Sequence, residues 1–157
     1  MIVVNENCVN LVKEFEGLSL KAYHDSIDKD GIDTIGYGTI VYPPEYLGGK
    51  KVKVGDPNIT EPQAASFLMW ELKLKAKLID PLLRDDLTPN QFAALISFAY
   101  NLGEGSLKGS TLRKKVNANP NDPTIANEFP KWCYADGKKL AGLIRRRVAE
   151  YNLYIKK

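Results

Sequence analysis

Soft metal ligands are scarce in this chain. Its 157 residues include two cysteines, Cys8 and Cys133, and one histidine, His24. That is too few for a zinc site and too few for a disulfide framework. Both thiols therefore read as small, reduced apolar residues, and no metal or cofactor is expected. Long apolar runs are missing as well, so no membrane-inserted segment is expected. The apolar start, MIVVNENC, has neither the basic n-region nor the extended h-region of a signal peptide. The expectation is synthesis in the cytoplasm, with another component needed for access to anything outside. Charge of one sign is nearly absent too. The formal net charge is +3, compatible with an acidic polymer as partner without demanding one. It is too weak a bias for a nucleic-acid binder without clustered aromatics. There is no internal repeat and no low-complexity segment.

What is present suits a globular chain: 44% hydrophobic and 26% charged residues, with a length fitting one domain of two lobes. Val9, Val12 and Phe15, and likewise Cys8, Leu11 and Phe15, recur at helical spacing, which predicts a helix over about 7–16, capped by Asn5 or Asn7 and stopped by Gly17. LKAYH and DTIGYGTIVY are rich in β-branched and aromatic residues and flank DKDG, which predicts a β-hairpin lobe over about 18–59 with one more short strand at KKVKV. ITEPQAA and LTPNQFAA both read Thr-x-x-Gln with proline in the first turn, the pattern of a capping box. The first opens a connecting helix over about 61–79. The second opens a helix over about 89–101, apolar almost all round and therefore buried, ended by Gly103 and Gly105. Helices at STLRKKVN, DPTIANEFPKW and KLAGLIRRRVAEYNLYI complete a helical lobe over about 82–157. The fold class is α+β, with a short antiparallel sheet in a small lobe and an all-helical second lobe.

Three motifs fail. TIGYGT lacks the third glycine of a dinucleotide fingerprint. SIDKDGIDTIGY resembles a calcium loop, but its twelfth position is Tyr37 where a bidentate glutamate is needed. His24 has no acid–serine constellation around it and reads as a surface histidine. Asp30 and Asp33 read as turn formers and solubilisers. Lys138, Lys139 and Arg145, in DGKKLAGLIRRR, read as a solvated helix face.

One constellation survives. Glu16 sits at a helix end, between Phe15 and Gly17-Leu18 and beside a hairpin that folds back on it. A carboxyl partly removed from water there can hold a proton and give it to a leaving oxygen. Asp25 closes the first strand and Thr34 opens the second, so the hairpin can bring a carboxylate and a hydroxyl together around one water. An acid on one side and a water-holder on the other is the arrangement of an inverting glycosidase.

FEGLSLKAYHD, TIGYGT, LTPNQFAALISFAYNLGEGSLKGSTL and GLIRRRVAEYNLY resemble the phage-type lysozymes, the endolysins of lambdoid bacteriophages (glycoside hydrolase family 24). The resemblance implies a single two-lobed lysozyme domain over 1–157, and hydrolysis of the β-1,4 bond between N-acetylmuramic acid and N-acetylglucosamine in peptidoglycan. It implies Glu16 as proton donor, with Asp25 and Thr34 positioning water. Tyr37, Thr39, Asn101, Arg146 and Arg147 would bind substrate or support the cleft, one arginine pairing with the glutamate or bracing the lobes. The implied partner is peptidoglycan glycan strands. The chain would act as a monomer on the cell wall, after release through a separate membrane-permeabilising protein. Three departures stand out. Asp25 to Thr34 is three residues longer than the family spacing, so Asp28 competes with Asp25 for the acidic role. Thr39 replaces a frequent histidine. The segment 40–57 is longer than in compact members. A lytic transglycosylase and a catalytically inactive wall-binding module are the alternatives. Mass spectrometry of the products separates the first from a hydrolase, and Glu16, which an inactive copy is free to lose, speaks against the second.

Overall fold

The computed structural model describes residues 3–25 and 31–157. The chain divides into two compact units, Glu16–Glu71 and Met1–Phe15 with Leu72–Lys157.

The smaller unit is built on a hairpin of β1 (Ser19–Asp25) and β2 (Ile32–Gly36). The strands are antiparallel, pairing Tyr23 with Thr34, His24 with Asp33, and Asp25 with Ile32. A tight turn through Gly36, Tyr37 and Gly38 brings Thr39 back against Ile35, which exchange backbone hydrogen bonds of 2.8 and 2.9 Å. Gly36 has φ +67, and a Cβ there would lie 3.3 Å from the Ala64 Cβ, so glycine serves both the turn and the close approach. Where KKVKV predicts a strand, the structure has a single bridge, Val41 with Lys51; Gly48, Gly49 and Gly55 take left-handed φ around it and break up any longer ladder. The core of the unit gathers Ile35, Tyr42, Val52, Ile59, Phe67 and Leu68, all buried. Tyr42, Tyr46 and Phe67 meet at ring separations of 5.0 to 5.7 Å.

In the larger unit, α1 (Glu6–Glu16) is capped by the Asn5 side chain, which accepts from the Cys8 N–H at 2.9 Å. It buries Cys8, Leu11 and Val12 and stops at Gly17, φ +70. Helix α2 (Glu61–Ile79) runs unbroken from one unit into the other; Thr60 and Gln63 hydrogen-bond each other's backbone at its start. Helix α3 (Pro89–Leu102) has the full Thr88–Gln91 capping box and is buried without a break from Gln91 to Ala99. Around it lie α4 (Glu104–Gly109), α5 (Thr111–Ala118) and α6 (Ala141–Tyr154), with Phe98 edge-on to Phe129 and Trp132.

Two sequence expectations are corrected here. Gly105 does not end α3 but lies inside α4. DPTIANEFPKW forms two 3-10 turns, Pro123–Asn127 and Phe129–Lys131; Pro130 has no N–H with which to continue the helical turn that Pro123 opens. A small hairpin, β3 (Tyr134–Ala135) with β4 (Lys138–Lys139), precedes α6. Cys8 and Cys133 are both buried and unbridged; burial pushes the Cys8 thiol up to about 12, so it is an inert core residue.

Candidate active site

Side chains on a strand alternate, and residues paired across antiparallel strands share a face. The register of β1 and β2 therefore puts Tyr23, Asp25, Ile32 and Thr34 on one face, and Ala22, His24, Asp33 and Ile35 on the other. Asp25 and Thr34 are diagonal neighbours on that face. Asp25 is half-buried and Thr34 buried, the Thr34 hydroxyl donating to the Ile32 carbonyl at 3.2 Å. Glu16 is the last residue of α1. The Tyr23 phenol is pushed up by partial burial and then by the negative charges of Asp25 and Glu16. Tyr23 itself is 42% exposed. With Tyr23 so open to solvent, strand pairing is what holds Asp25. Asp28 and Asp30 lie outside the described residues.

The supporting residues divide between the units. Tyr37 is buried in the hairpin unit and donates to Glu61 Oε1 at 2.9 Å, with burial and that carboxylate raising its phenol. Thr39 is fully buried, and its hydroxyl has no hydrogen-bond partner among the described residues. In the helical unit, Arg147 Nη2 donates to Asn101 Oδ1 at 2.7 Å, and Arg147 Nε stands 2.7 Å from Glu150 Oε1. Arg146 approaches the same carboxylate at 3.5 Å, and the Ser97 hydroxyl donates to it at 2.6 Å. Burial pushes the Glu150 carboxyl up and the Arg147 guanidinium down; each charge offsets the other's loss of water.

Sequence reasoning missed Glu150, although its spacing of three and four residues from the two arginines puts all three on one helix side. Asp33, read as a solubiliser, is a structural hub: Oδ1 is 2.8 Å from His24 Nδ1 and Oδ2 accepts from the Val54 N–H at 2.9 Å. Those two bonds, His24 first, hold its carboxyl below the ordinary value. Lys138, Lys139 and Arg145 are exposed, as expected of a solvated face. Among the described residues no group of three or more His, Cys, Asp or Glu is placed to hold a metal ion.

The profile of the family described as Phage lysozyme matches residues 13–150. The chain belongs to the phage lysozyme family. Its relatives include the endolysin of Bacillus phage B103, 38% identical over 155 residues, which covers 97% of this chain and 54% of the relative. The chain thus spans about half the length of that curated relative, and likewise 54% of the endolysin of Bacillus phage PZA. The endolysin of Acyrthosiphon pisum secondary endosymbiont phage 1 is matched along 97% of its length, at 36% identity over 96% of this chain. Among solved structures, the endolysin from Escherichia coli O157:H7 phage FAHEc1 superposes with a TM-score of 0.83 at 35% identity, covering 98% of this chain and 94% of its own. The α+β lysozyme fold expected from the sequence is therefore the fold of this family member.

Proposed function

We propose that this phage lysozyme hydrolyses the β-1,4 bond between N-acetylmuramic acid and N-acetylglucosamine in bacterial peptidoglycan, acting on the cell wall. Glu16 is the general acid, and Asp25 and Thr34 hold the attacking water. The observation that carries the reading is the shared hairpin face. The register puts Asp25 and Thr34 at diagonal positions on one face, and the charges of Asp25 and Glu16 both raise the Tyr23 phenol. An acid paired with a separate carboxylate–hydroxyl water site is what single-step hydrolysis with inversion requires. Tyr37, Thr39, Asn101, Arg146 and Arg147 support the site or bind the glycan. Among the described residues no helix is long and apolar enough to cross a membrane; release to the wall through a separate permeabilising protein belongs to the same reading.

The test is lysis of purified peptidoglycan by Glu16→Gln. The amide keeps the shape and loses the transferable proton. Removing a general acid costs about a hundredfold or more in rate, with circular dichroism unchanged. Near-normal turnover by that variant takes Glu16 out of the mechanism. Product masses lacking one water would make the enzyme a lytic transglycosylase.

A further inference from the structure

The ladder begun by Ile35 and Thr39 is not continued. The next pair in register is Asp33 with Val41, and no hydrogen bond joins their backbones, because the chain bends at Ile40. Backbone direction alternates along each strand. Ile35 bonds outward to Thr39, so the N–H and C=O of Asp33 also face outward. On the other side, Ile40 and Tyr42 bond to Val52 and Lys50, so the N–H and C=O of Val41 face the opposite way, toward β2. Two strand edges thus confront each other across a groove of about 550 Å3, lined by His24, Gly31, Ile32, Asp33, Ile40, Val41, Lys51 and Val52. The Asp33 side chain, tied to His24 and Val54, braces it. Ile32 and Ile40 are 41% and 45% exposed at its rim. Lys51 is exposed and makes no ion pair among the described residues.

We propose that this groove takes the acidic peptide stem of peptidoglycan, the two strand edges hydrogen-bonding the amides at its L-alanyl-D-glutamyl end. The proposal rests on the wall substrate argued above. Paired strand edges recognise a peptide main chain, and a glycan has no such backbone to offer. The apolar rim suits the methyl groups of alanine. Lys51 suits a carboxylate of the stem, a charge-assisted contact.

The full-length chain is titrated with the free stem tripeptide, L-alanyl-γ-D-glutamyl-meso-diaminopimelate, and amide shifts are followed by NMR. Shifts centred on Asp33 and Val41, weakened in Lys51→Glu, are expected; no shifts, or shifts centred elsewhere, overturn the proposal. In kinetics, Lys51→Glu should raise KM about tenfold, roughly one ion-paired hydrogen bond, on stem-bearing strands. The change should be absent on strands stripped of stems by an amidase, with kcat kept on both. Equal losses on the two substrates overturn it. Ile40→Ser repeats the comparison should Lys51→Glu fold poorly. If the wild-type chain cleaves neither strand, the hydrolase reading fails, and the titration still decides the groove.

Discussion

Glu150→Gln is the substitution whose cost the structure defines best. Glu150 is fully buried, with Arg147 Nε at 2.7 Å, Arg146 Nε at 3.5 Å and the Ser97 hydroxyl at 2.6 Å. Both guanidiniums are nearly removed from water, Arg147 at 0% and Arg146 at 3% exposure. The amide fills the same space, so no cavity opens. What changes is charge: two buried cations lose their anion, and the new NH2 group is a third donor facing donors. Breaking a buried ion pair from one side costs about 3–5 kcal/mol. For a chain of this length each kcal/mol moves the midpoint by about 2–4 °C, so Tm should fall by roughly 6–20 °C. Thermal and urea melts followed by circular dichroism read this directly. Replacing both partners, Arg147→Met with Glu150→Leu, should recover part of the loss, since an apolar pair of similar volume leaves one fewer unmatched charge. A Tm for Glu150→Gln within about 2 °C of wild type would mean that Glu150 is protonated in the fold, and would refute the account of this cluster as an ion network.

Gly31 has φ +48, and a Cβ there would lie 2.0 Å from His24 Nε2. Gly31→Ala should therefore destabilise by about 2 kcal/mol or more, the left-handed penalty alone being about 1–2, and adding His24→Ala should relieve the steric part in the same melts. The Asp33 carboxyl is held below its ordinary value of 3.8 by His24 and the Val54 amide. Its stabilisation is complete above that value and lost as pH falls through the lowered one; Asp33→Asn should flatten the acid limb of a Tm–pH profile, and an unchanged limb would remove Asp33 from it. Asp25→Ala should cripple lysis while Asp28→Ala is nearly silent, and equal losses would defeat both spacing arguments. NMR of the first product should show the α anomer, because water delivered opposite the acid inverts the β-linkage.

Features decided by a few adjacent residues were legible in the sequence. Both Thr-x-x-Gln boxes open helices where expected, and Gly17 ends α1, because the competing groups lie within one turn. Pairings between distant residues were harder. Asp33 sits among turn-forming acids and reads as one of them; its role depends on Val54, twenty-one positions on in the chain. The β3–β4 hairpin was overlooked although its Asp-Gly turn, with Asp136 at φ +50 and Gly137 at φ +75, is a strong local signal. The two-residue strands it joins are too short to show alternation. Tyr23 takes the face that alternation assigns it and is nonetheless exposed. Period two says which face a residue takes, not whether anything covers that face.

The three extra residues before Thr34 show why spacing inside the site divides into a rigid part and an elastic part. β1 shifts its register against β2 between Ser19 and Tyr23, and from Tyr23 to Asp25 it pairs residue by residue. Inserting a residue within that regular stretch would slip the strand and swap its faces, carrying Asp25 away from Thr34. Beyond Asp25 the constraint relaxes, because Asp25 with Ile32 is the last pair of the ladder. Six residues, 26–31, connect that pair, where the family spacing would leave three. Doubling the length of such a connection costs only about 0.6 kcal/mol in closure entropy, and it changes neither the register nor the face of either strand. A family signature counted straight through the connection therefore measures its length, and says nothing of the face on which Asp25 and Thr34 both lie. The physically meaningful counts run from Tyr23 forward to Asp25, and from Thr34 backward to Ile32.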